Sequence, residues 1–160
     1  MSNSKIINYQ SFDRGFLPKN KRVVLVGGCF DIFHYGHLAF LKKARAEGDF
    51  LIIALESDAL IKKKGKQIFH DQAKRAELLA NLEIVDQVLL LPDFQQDEDY
   101  FKLVEKIHPQ VIAVSEADPK YELKKEQAIL VNAEIKIVTP LLVDYSSSKI
   151  KEQYASFSRD

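Results

Sequence analysis

Two histidines three residues apart, His34 and His37, are the side chains of this sequence best suited to chemistry. They close the stretch GGCFDIFHYGH, which begins at Gly27 and Gly28 and has Gly36 between the histidines. Glycines let a backbone turn tightly and approach a ligand closely, and the free amides that open a helix attract an anion. With His34 in a loop and His37 in the first helical turn, both imidazoles would reach one point. The stretch therefore predicts a phosphate site that suits a triphosphate.

Simpler interpretations apply to the parts of this stretch but not to the whole. A glycine pair alone more often marks a turn, and a lone histidine at a helix start is usually a cap or a surface residue. A strand followed by Gly-Gly, Asp31 and His-x-Gly-His at a helix start is far more specific. A zinc site is disfavoured because the neighbourhood adds only Cys29 and Asp31, without a recurrent ligand spacing.

An alternation of strands and helices must position these residues. Short apolar runs predict about five strands, and the segments between them predict helices. This order predicts an α/β fold, a Rossmann-like doubly wound parallel sheet with right-handed crossovers and helices on both faces. Residues 1–21 are expected to be an N-terminal arm, helical in part near residues 9–12, and residues 22–160 one domain. The predicted strands are residues 22–26, 50–55, 85–91, 111–114 and 134–139; the predicted helices are 36–47, one from 71, 97–107, 121–132 and one from 145.

Polar clusters follow the predicted strand ends. They include Asp58, the basic run at 62–66, Asp118 and the serines at 146–148. In parallel sheets, ligands bind beyond the carboxyl ends of the strands, so these clusters should converge on one edge. Taken alone, the basic run is more typical of a solvated loop, and Arg75 of an ordinary surface arginine. Beside a triphosphate, however, lysines could neutralise phosphates as mobile point charges.

Composition narrows the class of protein. The chain has 160 residues, with 23 acidic and 23 basic ones, so no overall field draws it to nucleic acid or an anionic membrane. The basic run also lacks the interleaved aromatics of a single-strand binder. One cysteine excludes an intramolecular disulfide, and no run of about 18 apolar residues occurs. We expect a cytoplasmic protein with neither nucleic acid nor membrane as a partner.

The stretch GGCFDIFHYGH resembles the HxGH motif of the nucleotidyltransferase superfamily. The spacing from Asp58 through the lysines to Arg75, and the segment Ser-Ser-Ser-Lys-Ile from Ser146, extend the resemblance over about residues 22–150. It implies a Rossmann-like fold and transfer of a nucleoside monophosphate from ATP or CTP to a phosphorylated small molecule, with release of pyrophosphate. Mg²⁺ would accompany the triphosphate, with its ligands unknown. Small members of the superfamily usually form dimers, so a homodimer is expected.

The resemblance also implies roles for particular residues. His34, His37 and Lys64 would be catalytic, holding the phosphates and stabilising the charge that develops at the α-phosphorus. Asp58 and Arg75 would face the second substrate or the phosphates. Asp31 would order the first loop, and Asp118 would lie near the ribose or base. The full nucleotide-binding set would comprise Gly28, Cys29, Phe30, Asp31, Gly36, Lys66, Asp118, Ser146, Ser147 and Ser148.

Departures from the cytidylyltransferase pattern favour ATP over CTP. Leu141 stands where those enzymes carry an arginine, Cys29 replaces their threonine or serine, and residues 83–86 replace their Arg-Tyr-Val-Asp. These features are similar to heptose-1-phosphate adenylyltransferases, although residues 115–118 lack the lysine of their Lys-Gly-Gly-Asp. The acceptor stays open. The alternatives are a CTP-dependent polyol-phosphate cytidylyltransferase, then an FMN adenylyltransferase, then a catalytically silent nucleotide-binding protein.

Overall fold

Six strands, each parallel to its neighbours, form a single sheet in the order β1-β4-β3-β2-β5-β6. The fold is taken from a computed structural model that describes residues 5–140 and 146–157. The predicted Rossmann-like parallel sheet is confirmed. The strands are β1 (Ile6–Asn8), β2 (Val23–Gly28), β3 (Phe50–Leu55), β4 (Gln87–Leu90), β5 (Val111–Ser115) and β6 (Glu134–Thr139).

Helices connect the strands and cover both faces of the sheet. The five predicted helices begin and end within a few residues of their predicted positions, because caps mark them in the sequence. One such cap is the Asp71 carboxylate, which accepts from the amide of Lys74. The helices are α1 (Tyr35–Arg45), α2 (Asp58–Lys63), α3 (Gln72–Ala80), α4 (Asp97–Ile107), α5 (Tyr121–Leu130) and α6 (Ser147–Phe157).

Alternation along the strands divides the core between the two faces. Val24 and Val26 of β2 pack with α1 and α3 on one face, whereas Val23 and Leu25 pack with α4 and α5 on the other. Strand β3 is apolar throughout and buried on both faces after Phe50. Each fully buried Val, Leu or Ile contributes roughly 1.5–3 kcal/mol, so this two-sided core fixes the register of the strands.

The N-terminal segment differs from its prediction as an arm. Ile6–Asn8 forms β1, an edge strand in which Ile6 pairs with Val88 and the Lys5 carbonyl accepts from the Val88 amide at 2.8 Å. Two consecutive isoleucines carry too little periodicity to reveal a strand, which exists because β4 offers it an edge. A 3₁₀ turn at Tyr9–Ser11 lies where partial helicity was expected.

The basic run also begins differently from its prediction. Asp58–Lys63 forms the short helix α2, capped by the Ser57 hydroxyl, which accepts from the Leu60 amide at 3.1 Å. Six residues give no helical periodicity in the sequence, so only the cap could have indicated this helix. Lys64 follows as the C-cap, and Gly65, with φ of 70°, turns the chain back.

The topology places an open edge at the carboxyl end of β2. From β2 the chain proceeds outward through β3 and β4, and then returns to place β5 on the other side of β2. The connections leave the sheet in opposite directions at this point, which opens a crevice beyond the strand ends. Among the described residues, no helix has the length and apolar character needed to cross a membrane.

Candidate active site

His34 and His37 hold each other in place at the start of α1. The Nδ1 atom of His34 accepts from the backbone amide of His37, and the Nδ1 atom of His37 accepts from the amide of His34, both at 3.4 Å. The two rings stack with centroids 3.7 Å apart and an angle of 21° between their planes. Since both Nδ1 atoms accept, the proton of each neutral ring lies on Nε2. Each imidazole therefore keeps an Nε2–H donor for a ligand.

Burial favours the neutral form of both histidines. Burial lowers the pKa of His34 below its ordinary value. Burial, reinforced by repulsion from His34 and opposed by Asp31, lowers the pKa of His37 from 6.5 to about 3. Two neutral donors side by side can bind phosphate oxygens without the mutual repulsion that two imidazolium ions would suffer. The geometry suits hydrogen-bond donation.

The loop before α1 holds an unusual backbone shape. Phe30 and Ile32 have φ values of 48° and 50°, in the left-handed region that bulky residues rarely adopt. The buried ring of Phe30 meets the His37 ring edge-on, with centroids 5.2 Å apart. A Cβ atom on Gly28 would lie 2.9 Å from the Phe30 ring. Gly28 is therefore needed so that Phe30 can support His37.

Asp31 ties this loop to two other segments. Its carboxylate accepts from the backbone amides of Phe69 and His70, each at 3.0 Å, and from Lys151 of α6 at 3.1 Å. Its backbone carbonyl accepts from the hydroxyl of Ser147. Burial alone would raise the pKa of Asp31, but these hydrogen bonds outweigh it and hold the pKa below its usual value. The position matches the loop-ordering role that the resemblance implies.

A cavity of about 650 Å³, which we name the histidine cavity, lies between α1 and α6. The histidines line it together with the N-terminus of α6, where the Ser146 hydroxyl accepts from the Lys149 amide at 3.1 Å. Helix N-termini favour anions, so the serines and imidazoles form one donor-rich wall. Twelve predicted site residues line this cavity: Gly28, Cys29, Phe30, Asp31, His34, Gly36, His37, Lys66, Asp118, Ser146, Ser147 and Ser148.

A second cavity, of about 640 Å³, lies on the α4 and α5 side of the sheet. We name it the Glu56 cavity after the carboxylate that directly follows β3. The two cavities meet at the strand ends, and both are lined by Gly27, Gly28, Cys29, Ile61, Lys66, Ser115 and Asp118. A reacting group at this shared edge would be accessible from both faces of the sheet.

The remaining predicted cations and Asp118 lie around the same edge. Lys64 lines the Glu56 cavity, and Lys66 lines both cavities. Asp118 also lines both cavities, but its carboxylate is already engaged. Its Oδ1 accepts from the Lys120 amide at 2.8 Å, and its Oδ2 accepts from Lys124 at 2.6 Å. Its contact with a ribose or base stays a prediction.

Arg75 differs from its prediction as a substrate-binding residue. It is fully buried, and its guanidinium donates to the backbone carbonyls of Cys29, Glu56 and His70 and to the carboxylate of Asp58. The group therefore braces the loops that end β2 and β3 from behind. Asp58, at 2.6 Å from Arg75, is its counter-ion. Arg75 lines neither cavity and is enclosed, so it is not placed to touch a substrate there. Asp58 also lines neither cavity, and its contact with a substrate stays a prediction.

Among the cavity residues that were not singled out from the sequence are Glu56, Tyr100 and Gln127. Glu56 follows β3 directly, so the rule that ligands bind beyond strand ends could have found it. Tyr100 of α4 donates to the Glu56 carboxylate at 3.0 and 3.2 Å. Gln127 lies on α5 and carries no sequence signal. Burial raises the pKa of Glu56, against the hydrogen bond from Tyr100 and the charges of Lys64 and nearby cations.

The sheet order and the two cavities define a class: a parallel α/β protein with a crevice at its switch point. A sequence model of the cytidylyltransferase-like family matches residues 25–153. The chain belongs to this family, and the predicted resemblance is confirmed.

Individual relatives agree with this assignment. The bifunctional protein HldE of Geotalea uraniireducens is 35% identical over 125 residues, covering 76% of this chain and 24% of that protein. HldE of Nitratiruptor sp. is 42% identical over 96 residues, covering 59% of this chain and 20% of that protein. The chain therefore spans about a quarter or less of these relatives' length.

Solved structures share the fold. The lipopolysaccharide core biosynthesis protein of Thermoplasma volcanium superimposes with a TM-score of 0.61 at 28% identity, covering 74% of this chain and 95% of that chain. Pantothenate synthetase of Thermus thermophilus gives a TM-score of 0.57 at 16% identity, covering 92% of this chain and 70% of that chain. The second likeness supports the fold alone.

Proposed function

We propose that this protein transfers a nucleoside monophosphate, AMP in preference to CMP, from a nucleoside triphosphate to a sugar phosphate and releases pyrophosphate. The observation that carries this proposal is the contact between the two cavities at the Gly28–Cys29 edge. A triphosphate in the histidine cavity and an acceptor phosphate in the Glu56 cavity would meet there. The relatives named HldE and the lipopolysaccharide core biosynthesis protein support a sugar-phosphate acceptor.

The chemistry is a displacement at the α-phosphorus. An oxygen of the acceptor phosphate forms the new bond to this phosphorus, while the bond to the β-phosphate oxygen breaks and pyrophosphate leaves with the electron pair. The acceptor phosphate is ionised at pH 7, so no general base is required. Catalysis then depends on alignment and on neutralising charge in the transition state.

The donors of the histidine cavity suit this task. Nε2–H groups of His34 and His37 would bind oxygens of the α-phosphate and the leaving phosphates, and the α6 N-terminus at Ser146 and Ser147 would cap the far end. Lys64 and Lys66 would approach from the exposed α2–α3 connection and offset the remaining charge. Preorganised donors of this kind lower a barrier because they need not reorient during the reaction.

We propose that the nucleotide binds as its Mg²⁺ complex. Mg²⁺ prefers oxygen ligands and keeps several waters. Phosphate oxygens of the nucleotide, together with these waters, would therefore supply most of its coordination. The described residues contain no group of three His, Cys, Asp or Glu side chains able to hold a metal ion. Removal of Mg²⁺ with EDTA should abolish turnover and leave the melting temperature of the ligand-free protein unchanged.

The preference for ATP over CTP rests on the sequence alone. Leu141, which stands where cytidylyltransferases carry an arginine, lies outside the described residues. The Glu56 cavity, with about 640 Å³, offers the polar groups of Glu56, Tyr100 and Gln127 to the hydroxyl groups of a sugar phosphate. The expected homodimer stays a prediction, which sedimentation analysis of the purified protein would test.

The deciding experiment is a pyrophosphate-release screen. ATP and CTP are each combined with a heptose 1-phosphate, a hexose 1-phosphate, glycerol 3-phosphate and FMN. We expect turnover with ATP and a sugar 1-phosphate. Turnover only with CTP and glycerol 3-phosphate would replace the proposal by the polyol-phosphate alternative. Nucleotide binding without pyrophosphate release from any pair would favour the catalytically silent alternative.

A further inference from the structure

Gln127 is a buried polar side chain without a protein partner. Only 4% of the residue is exposed, and its side chain makes no hydrogen bond to the described residues. Yet, in the described part of the chain, every fully enclosed side-chain N or O atom of a buried residue has a hydrogen-bond partner. The amide of Gln127 must therefore open to a space, and the cavity that Gln127 lines is the Glu56 cavity.

Glu56 offers further hydrogen-bonding capacity in the same cavity. The Tyr100 hydroxyl lies 3.0 and 3.2 Å from the two carboxylate oxygens, but its single proton can serve only one of them at a time. A carboxylate can accept about four hydrogen bonds, so Glu56 retains acceptor sites. Together, the amide and the carboxylate supply both a donor and several acceptors.

The rest of the wall alternates between apolar and charged groups. Leu25, Phe94 and Leu103 contribute apolar surface, whereas Lys64 and Lys124 contribute cations. A sugar phosphate has matching parts: C–H faces, hydroxyl groups that both donate and accept, and an anionic end. A site built to bind a hydroxyl rejects analogues that lack it, because its own buried groups are then left unpaired.

We propose that Gln127 and the Glu56–Tyr100 pair bind hydroxyl groups of the acceptor, which makes the Glu56 cavity selective for a polyhydroxylated sugar phosphate. This inference rests on the proposed function and names the residues that determine its acceptor. The phosphate of the acceptor then lies toward Lys66 and the edge shared with the histidine cavity. The three residues are specificity residues and take no part in the displacement at phosphorus.

The test replaces Gln127→Leu, which removes the amide at similar volume. Gln87→Leu is the matched control, since Gln87 is a buried glutamine of β4 that lines neither cavity. For Gln127→Leu we expect the KM for a heptose 1-phosphate to rise about 10- to 100-fold, with the KM for ATP unchanged. Its melting temperature should stay level or rise, because an unpaired buried amide is lost. Gln87→Leu should leave both KM values unchanged.

Discrimination between acceptors provides a second measurement. The ratio of kcat/KM for a heptose 1-phosphate to that for glycerol 3-phosphate should fall at least tenfold in Gln127→Leu, and likewise in Glu56→Gln. An unchanged ratio and KM in both variants would overturn the inference while leaving the proposed function standing. A wild-type protein that releases no pyrophosphate with any acceptor would overturn both.

Discussion

The histidine cavity and the Glu56 cavity differ in how completely their polar groups are satisfied before a ligand arrives. In the histidine cavity, His34 and His37 cap each other, and Asp31 accepts three hydrogen bonds. In the Glu56 cavity, the side chain of Gln127 has no hydrogen-bond partner in the described part of the chain, and there Glu56 has one donor for its two oxygens. One wall is assembled in advance, whereas the other, in our proposal, is completed by its ligand.

This difference corresponds to two tasks. Donors that stabilise a transition state act best when their orientation is fixed, because any rearrangement adds to the barrier. Groups that select a substrate act by being left unpaired when the wrong substrate binds. We therefore expect changes in the histidine cavity to lower kcat, and changes in the Glu56 cavity to raise the KM of the acceptor.

The largest effect should come from His34→Asn. Asparagine is a good N-cap, and its side-chain oxygen can accept from the His37 amide as Nδ1 of His34 does. The substitution thus keeps the cap but removes the Nε2–H donor. We expect kcat to fall roughly 10²- to 10³-fold, as for the loss of one transition-state donor, with the melting temperature close to wild type.

His34→Ala is the comparison for this variant. It removes both the cap and the donor, so kcat should fall equally and the free energy of unfolding should decrease by about 1 kcal/mol. Wild-type kcat in His34→Asn, with loss only in His34→Ala, would mean that His34 serves the helix alone. The division of tasks between the cavities would then fail.

A smaller effect separates the two glycines at the end of β2. Gly28→Ala would bring a Cβ atom within 2.9 Å of the Phe30 ring, which supports His37, whereas a Cβ on Gly27 would lie 3.9 Å from its nearest neighbour, the carbonyl of Ala54. We expect Gly28→Ala to cost about 1–3 kcal/mol of stability through overpacking. Gly27→Ala should leave stability unchanged.

The two glycine variants should also differ in which kinetic constant changes. Gly28→Ala should lower kcat, since Phe30 and His37 shift together. Gly27→Ala adds a methyl group at the edge that both cavities share, so it should raise the KM for nucleotide and acceptor instead. Thermal unfolding and steady-state kinetics measure both effects. Equal loss of stability in the two variants would contradict this account of the loop.

The histidine cavity could be predicted from the sequence because its groups come from a contiguous stretch and from one helix cap. Strand and helix periodicity then placed that stretch at a strand end. The Glu56 cavity could not be assembled in this way, since Tyr100 and Gln127 lie on separate helices. Which face of α4 or α5 turns toward a cavity depends on packing against the sheet, and a single residue does not reveal it.

Arg75 shows a second limit of the sequence. Its spacing from Asp58 indicated a binding pair, and the two residues do form an ion pair at 2.6 Å. Spacing alone, however, does not indicate on which side of the loop a pair lies. Burial decides it here: a guanidinium that donates to the carbonyls of Cys29, Glu56 and His70 is a brace behind the site.

The smallest effect concerns the pH dependence of stability. Burial and the neighbouring His34 lower the pKa of His37 from 6.5 to about 3, so below pH 6.5 the unfolded chain binds a proton that the folded chain does not. The free energy of unfolding should therefore fall as the pH drops from 7 to 5.5, with about 1.3 kcal/mol as an upper bound from this one group. Urea unfolding across that range measures the slope.

His37→Asn should flatten this slope without destroying the loop, because its side-chain oxygen can still accept from the His34 amide. The matched control is His108→Asn, since His108 is exposed and asparagine tolerates its left-handed φ of 51°. The free energy of unfolding could instead fall with pH as steeply in His37→Asn as in His108→Asn. That result would show that His37 titrates freely in the folded protein. The histidine cavity would then lack its neutral, preassembled donors, and the contrast with the Glu56 cavity would disappear.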